Sequence, residues 1–151
     1  MLRLSKKMLF AIEAVLDIAY HSASEPVQSH QITKRQGIPR RYLEQALQHL
    51  VRGNILNGVR GPRGGYRLAR ERRRISVADI VRVVQEMEQN ENKDEELLES
   101  DLGQKVVQPL WSELQMEMIA RLEDLSIDDL CTRAKDEGVV NEGQRNLDFT
   151  I

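Results

Sequence analysis

Aromatic residues and cysteine are scarce in this chain of 151 residues, and each shortage closes off a class of protein. Aromatics make up 4%, so a core drawn from the 40% hydrophobic content must be aliphatic, built of Leu, Ile and Val. Cys131 stands alone, which excludes an intramolecular disulfide and a cysteine-only metal cage and fits a reducing, cytoplasmic setting. Long apolar runs are missing too. The basic start, Met1 to Lys7, leads into no uninterrupted apolar stretch, because Glu13 and Asp17 break it; neither a signal peptide nor a membrane span is expected. There is no glycine-rich phosphate loop, no histidine pair at helical spacing and no convincing Ser/His/Asp set, so enzyme chemistry is not expected.

The net charge of -2 hides a strong asymmetry. Between Lys34 and Arg74, twelve basic residues face two acids, a local balance of +10. Between Glu86 and Glu142, seventeen acids face five bases, a balance of -12. A basic stripe beside an acidic half is the footprint expected of a nucleic-acid reader, although two solvated surfaces of opposite sign would look the same.

Periodicity predicts a mainly α chain with a small two-stranded β wing. Ser5 caps a first helix carrying Leu9, Ile12, Val15, Leu16 and Ala19 on one face. A short second helix covers Ser29 to Arg35, and Gly37 supplies an easy positive φ in the turn that follows. Pro39 opens a third helix running to Arg52, with Leu43, Ala46, Leu47 and Leu50 turned inward. Ile55 to Val59 and Tyr66 to Leu68 read as strands about a turn rich in glycine and arginine. Ser76 caps a fourth helix buried through Val77, Ile80, Val81 and Val84. A long helix follows from about 102 to 122, then a last one from Ile127 to Ala134 capped by Ser126. The expected organisation is a winged helix-turn-helix unit over 1–87, an acidic linker over 88–101, a dimerisation helix and final helix over 102–135, and a loose tail over 136–151.

Helix, tight turn, helix and hairpin is the order of a winged helix-turn-helix. The third helix fits the major groove, and Arg40, Arg41, Tyr42, Glu44, Gln45 and Gln48 project from its N-terminal half. Tyr42 has a competing place in the core, and Glu44 a competing partner in Arg40 or Arg41. The narrow wing tip lets Arg60 and Arg63 enter a minor groove or grip phosphate, with the basic run continuing through Arg67, Arg70 and Arg72 to Arg74. Gln28, at the start of the second helix, is a further phosphate candidate. Val107, Trp111, Leu114, Met118, Leu122 and Leu125 form a seam on the long helix that wants a partner helix.

The runs Leu-Asp-Ile-Ala at 16–19, Arg-Gln-Gly-Ile-Pro at 35–39, Tyr-Leu-Glu-Gln at 42–45 and Val-Arg-Gly-Pro-Arg-Gly-Gly-Tyr-Arg-Leu at 59–68 resemble the Rrf2 family of transcriptional regulators. So do Ile-Ser-Val-Ala-Asp-Ile-Val at 75–81, Pro-Leu-Trp at 109–111 and Leu-Ser-Ile-Asp-Asp-Leu at 125–130. The resemblance implies a homodimer whose long helices pair and whose wings straddle a palindromic operator in double-stranded DNA. It implies DNA contacts from Arg41, Tyr42, Glu44, Gln45 and Arg60, and makes Trp111 packing at the foot of the dimer helix.

The chain departs from the cluster-bearing members of that family. Their ligands are three cysteines, with a histidine in some members. Counted back from Trp111 without gaps, those positions hold Gln108, Lys105, Glu99 and Lys93, and the first-helix carboxylate position holds Leu9. None is a soft iron ligand, so the expected cofactor is none. What the chain then senses stays open between a metabolite or protein effector, a thiol switch at Cys131, and no ligand. The reading from another class is a protein-interaction module on a winged-helix scaffold, against which the arginine-rich wing argues.

Overall fold

The computed structural model describes residues 5–23, 25–91 and 98–143. Its elements in chain order are α1 (Lys6–His21), α2 (Ser29–Gln36), α3 (Arg40–Arg52), β1 (Leu56–Val59), β2 (Gly65–Leu68), a 3₁₀ turn (Arg72–Arg74), α4 (Val77–Glu91), a π-wound turn (Gly103–Val107), α5 (Gln108–Glu123) and α6 (Ile127–Asp136). No helix among the described residues is long and apolar enough to cross a membrane.

The capping signals act where the sequence places them. Ser5 Oγ accepts from the Met8 N–H to start α1. Ser76 and Ser126 each exchange two hydrogen bonds with the aspartate three residues on, Asp79 and Asp129, opening α4 and α6. The two caps also meet: Val77 N–H donates to Leu125 O and Ile127 N–H to Ile75 O, so one antiparallel rung joins the starts of α4 and α6. Gly37 closes α2 at φ 67°, where a side chain would be strained.

The core is aliphatic. α1 lies at its centre, and Ala11 and Ala14, both fully buried, let neighbouring helices approach closely. Around it pack Ile32 and Ile38, then Leu43, Leu47 and Leu50 of α3, then Ile55, Leu56, Ile75, Ile80 and Ile127. Each such side chain contributes about 1.5–3 kcal/mol relative to exposure. The three leucines of α3 therefore clamp it against α1, leaving its opposite face outward.

The expected helix over 102–122 differs in its winding. Its first turns, Gly103–Val107, are π-wound, and regular α geometry begins at Gln108. Pro109 is the cause: it has no N–H for the carbonyl of Lys105, and its ring would crowd that carbonyl in a regular turn. Beyond α6, Val139 to Gly143 lie against the end of α1. Tyr20 Oη donates to Val139 O at 2.6 Å, and the Glu142 N–H donates to His21 Nδ1 at 3.1 Å. The expected loose tail is described only as far as this docked stretch.

Candidate nucleic-acid interface

The outward face of α3 carries Arg40, Arg41, Glu44, Gln45 and Gln48, all exposed. Arg40 Nε donates to Glu44 Oε1 at 3.1 Å across one turn, the pairing weighed from sequence. Tyr42 stands apart from this set. It is half-buried, its hydroxyl donates to the carbonyl of Lys7, and its ring lies 6.0 Å from that of Phe10. It fastens the start of α3 to α1.

The wing is built from close backbone contacts. β1 and β2 pair antiparallel, Leu56 opposite Leu68 and Val59 opposite Gly65. Val27 adds a rung to the outer side of β2, exchanging bonds of 3.0 and 2.8 Å with Tyr66. The two consecutive glycines follow from this packing. A Cβ on Gly64 would sit 2.2 Å from Val59 O, and one on Gly65 would sit 2.5 Å from Val27 O. Arg60, Arg63 and Arg67 are exposed on the wing, with Arg63 Nη1 3.7 Å from Glu25 Oε1. A groove between wing and α2 is lined by Gln28, Ser29, His30, Arg60 and Tyr66. Gln28 Nε2 donates to Pro62 O at 3.4 Å, so this side chain also steadies the wing tip.

The basic stripe is not one surface. Arg35 turns inward to Asp17, Arg70 pairs with Asp79, and Arg72 and Arg73 converge on Asp128. Three arginines of the expected continuation thus carry ion pairs of their own, Arg70 to α4 and Arg72 and Arg73 to α6. Their acids lie far off in sequence or on another helix, which a local charge count does not see.

Sequence reasoning also passed over Asp17. It is buried on α1, where Arg35 Nε and Nη2 donate to its two oxygens at 2.9 and 2.7 Å and Gln36 Nε2 donates at 2.8 Å. The signal was present: Asp17 falls in helical phase with buried Ala14 and Tyr20, and a buried carboxylate requires partners. The pair ties α1 to α2 and so holds the turn that presents α3.

The apolar seam of α5 lies open. Val107, Trp111, Leu114 and Met118 are exposed, Trp111 at 47%, while Leu122 is half-buried. The isolated chain covers none of the first four, and Leu110 beside them is exposed as well. Cys131 is buried at 3% exposure. Burial pushes its thiol pKa up, against the opposing pull of Arg72.

The family profile described as Rrf2, iron-dependent transcriptional regulator, matches residues 4–133. The chain belongs to the Rrf2 family. It is 34% identical over 144 residues to the HTH-type transcriptional regulator ORF2 of Azotobacter vinelandii, spanning 92% of this chain and 85% of that one. It is 32% identical to the HTH-type transcriptional regulator IscR of Vibrio atlanticus, spanning 99% and 86%. Among solved structures, T. potens IscR superposes with a TM-score of 0.72 at 31% identity, covering 92% of this chain and 93% of that one. CymR of B. subtilis, described as its global cysteine regulator, shares the fold with a TM-score of 0.68 at 24% identity, covering 88% and 98%. This Rrf2 chain is thus a winged-helix, DNA-binding transcriptional regulator and not an enzyme.

The iron of the family's description does not fit the donor set of this chain. Glu99, Lys105 and Gln108 are exposed, Lys105 is ion-paired with Asp101 at 3.8 Å, and Leu9 is a half-exposed alkyl group. Lys93 lies outside the described residues. Ammonium, amide and alkyl groups cannot replace thiolates around an iron–sulfur cluster, and the one hard carboxylate, Glu99, cannot hold it alone. No group of three His, Cys, Asp or Glu with metal-binding geometry occurs among the described residues.

Proposed function

We propose that this Rrf2 regulator works as a cluster-free homodimer that represses by occupying a palindromic operator. The observation that carries the reading is the polar face of α3, backed by a leucine clamp and flanked by the wing. In this arrangement α3 enters the major groove, where Arg41, Gln45 and Gln48 read base edges and Arg40 and Glu44 act as a coupled pair. Arg60, Arg63 and Arg67 take the adjoining backbone or minor groove, and the groove beside Gln28 takes a phosphate. Tyr42 contributes by seating α3.

The open seam of Val107, Trp111, Leu114, Met118 and Leu122 supports pairing through α5, since an apolar face of this kind rarely stays solvated. Residues 1–87 then form the reading unit, 88–101 the acidic connection, 102–135 the dimer arm and 136–151 the tail. The buried Cys131 thiol is poorly placed for exchange, which leaves a metabolite or protein effector, or no ligand, as the control.

Footprinting on fragments selected from genomic DNA, with sedimentation velocity on the free protein, tests this. Expected are a dimer and a two-fold symmetric footprint whose affinity falls steeply with salt. A monomer at micromolar concentration, or binding without sequence preference, would overturn it. Protein purified without oxygen should lack visible iron–sulfur absorption; a stoichiometric brown chromophore would refute the cluster-free reading.

A further inference from the structure

A line of charged groups runs from the end of α5 to the end of α3. Glu123, at the last turn of α5, is ion-paired with Arg82 of α4. Arg82 Nη1 lies 3.6 Å from Asp79 Oδ1, one turn earlier. The other oxygen of Asp79 accepts from Arg70 Nη2 at 3.2 Å and from the Ser76 N–H at 3.0 Å. Arg70 Nη1 then donates to the carbonyl of Asn54 at 3.1 Å. Asn54 leaves α3 at φ 59°, the one positive φ outside glycine among the described residues. Beside it, Gly53 seats α3 directly on α4, since a Cβ there would lie 2.8 Å from Val83 Cγ2.

We infer that Arg70 is a positioning residue for sequence reading: it sets the angle of α3 against the wing root and against α5. The inference rests on the placement of α3 in the major groove proposed above. One rigid, planar guanidinium divides its donors between two places, the Asn54 carbonyl in the turn just past α3 and the carboxylate that caps α4. Each ion pair is partly solvated and stabilises the fold little. Orientation is another matter. Base-edge hydrogen bonds weaken steeply with small changes in angle and distance, whereas attraction to phosphate tolerates them. Loss of Arg70 therefore erodes discrimination between sequences and leaves overall attraction to DNA intact.

The competing role for an arginine after the wing is phosphate contact, and the two separate cleanly. The probes are a duplex enriched by the wild-type protein from a random-sequence pool and a scrambled duplex of equal composition. Both are titrated over a salt series with Arg70→Gln, Arg70→Lys, Asp79→Asn and the double variant Arg70→Gln/Asp79→Asn. The ratio of the two affinities should fall about tenfold in Arg70→Gln, with scrambled-duplex affinity and salt slope unchanged. Arg70→Lys should not restore it, because an ammonium cannot span both acceptors. Asp79→Asn should show the same loss, and the double variant no more than either single. Equal weakening on both duplexes, with a salt slope smaller by about one and rescue by lysine, would make Arg70 a phosphate contact. An unchanged ratio with a lower melting temperature would reduce the network to a structural ion pair. Either result overturns the inference. A pool from which the wild type enriches nothing would overturn the DNA-reading proposal and this one with it.

Discussion

Arg35 meets Asp17 through two parallel hydrogen bonds, Nε to Oδ2 at 2.9 Å and Nη2 to Oδ1 at 2.7 Å, with the carboxylate shut away from solvent. Removing one partner leaves the other uncompensated. Arg35→Met should therefore cost about 3 kcal/mol or more, measured by urea unfolding. Asp17→Leu in the same chain should recover most of that loss, since two apolar groups need no partner. A single variant as stable as wild type would show that the pair is solvated.

His21 accepts the Glu142 N–H at Nδ1 and lies 3.9 Å from Asp17 through Nε2. Burial lowers its pKa below the ordinary value of about 6.5, with Asp17 and Glu142 pulling up and Arg35 pulling down. The folded state then prefers neutral imidazole. Its stabilisation is fully present above about pH 6.5 and is lost as pH falls below that value. The melting temperature should drop on acidification through this window, and His21→Gln should flatten that drop. An identical pH profile in the variant would assign the dependence elsewhere.

Arg60→Ala should weaken operator binding by about 1–3 kcal/mol if this residue reads a base. Arg63→Ala should cost less, because Arg63 must first leave Glu25, and Glu25→Gln should strengthen binding. Fluorescence anisotropy with a selected duplex reads all three. Unchanged affinity in both arginine variants would remove the wing from the interface.

Charge placed on the α5 seam should separate the protomers. Trp111→Arg or Leu114→Arg should sediment as a folded monomer and lose most affinity for a two-site duplex, because the second head no longer adds avidity. A dimer that persists in both variants would move the interface to another surface.

The Cys131 thiol should react with a disulfide reagent only as fast as the protein opens, and at ordinary speed in urea. Labelling of the native protein at the rate of a free thiol would revive the redox-switch reading.

Local features were legible in the sequence because local chemistry decides them. Gly37, the serine caps and Gly64 each act within a few residues of themselves, and the inward leucines of α3 declare themselves by their helical spacing. The fate of the arginines was not legible. Arg35, Arg70 and Arg72 look alike in a charge count, and only tertiary packing delivers Asp17, Asp79 and Asp128 to them. The π-wound turn was readable in principle from Pro109, but a periodicity count fixes its attention on side chains and passes over a missing N–H. The docking of Val139 and Glu142 on α1 pairs the Tyr20 and His21 side chains with backbone groups of the tail, and those backbone groups carry no sequence signature.

The rung between Ser76 and Ser126 makes everything from α4 to the end of α5 an excursion closed at its base. The chain leaves the body at one cap and returns at the other, beside its point of departure. Closure entropy grows only slowly with the length of such an excursion. The segment between α4 and α5 can therefore be lengthened, shortened or rewritten without reopening the core that presents α3. In this molecule the stretch that joins α4 to α5 is exchangeable by construction, and the core that seats α3 is not.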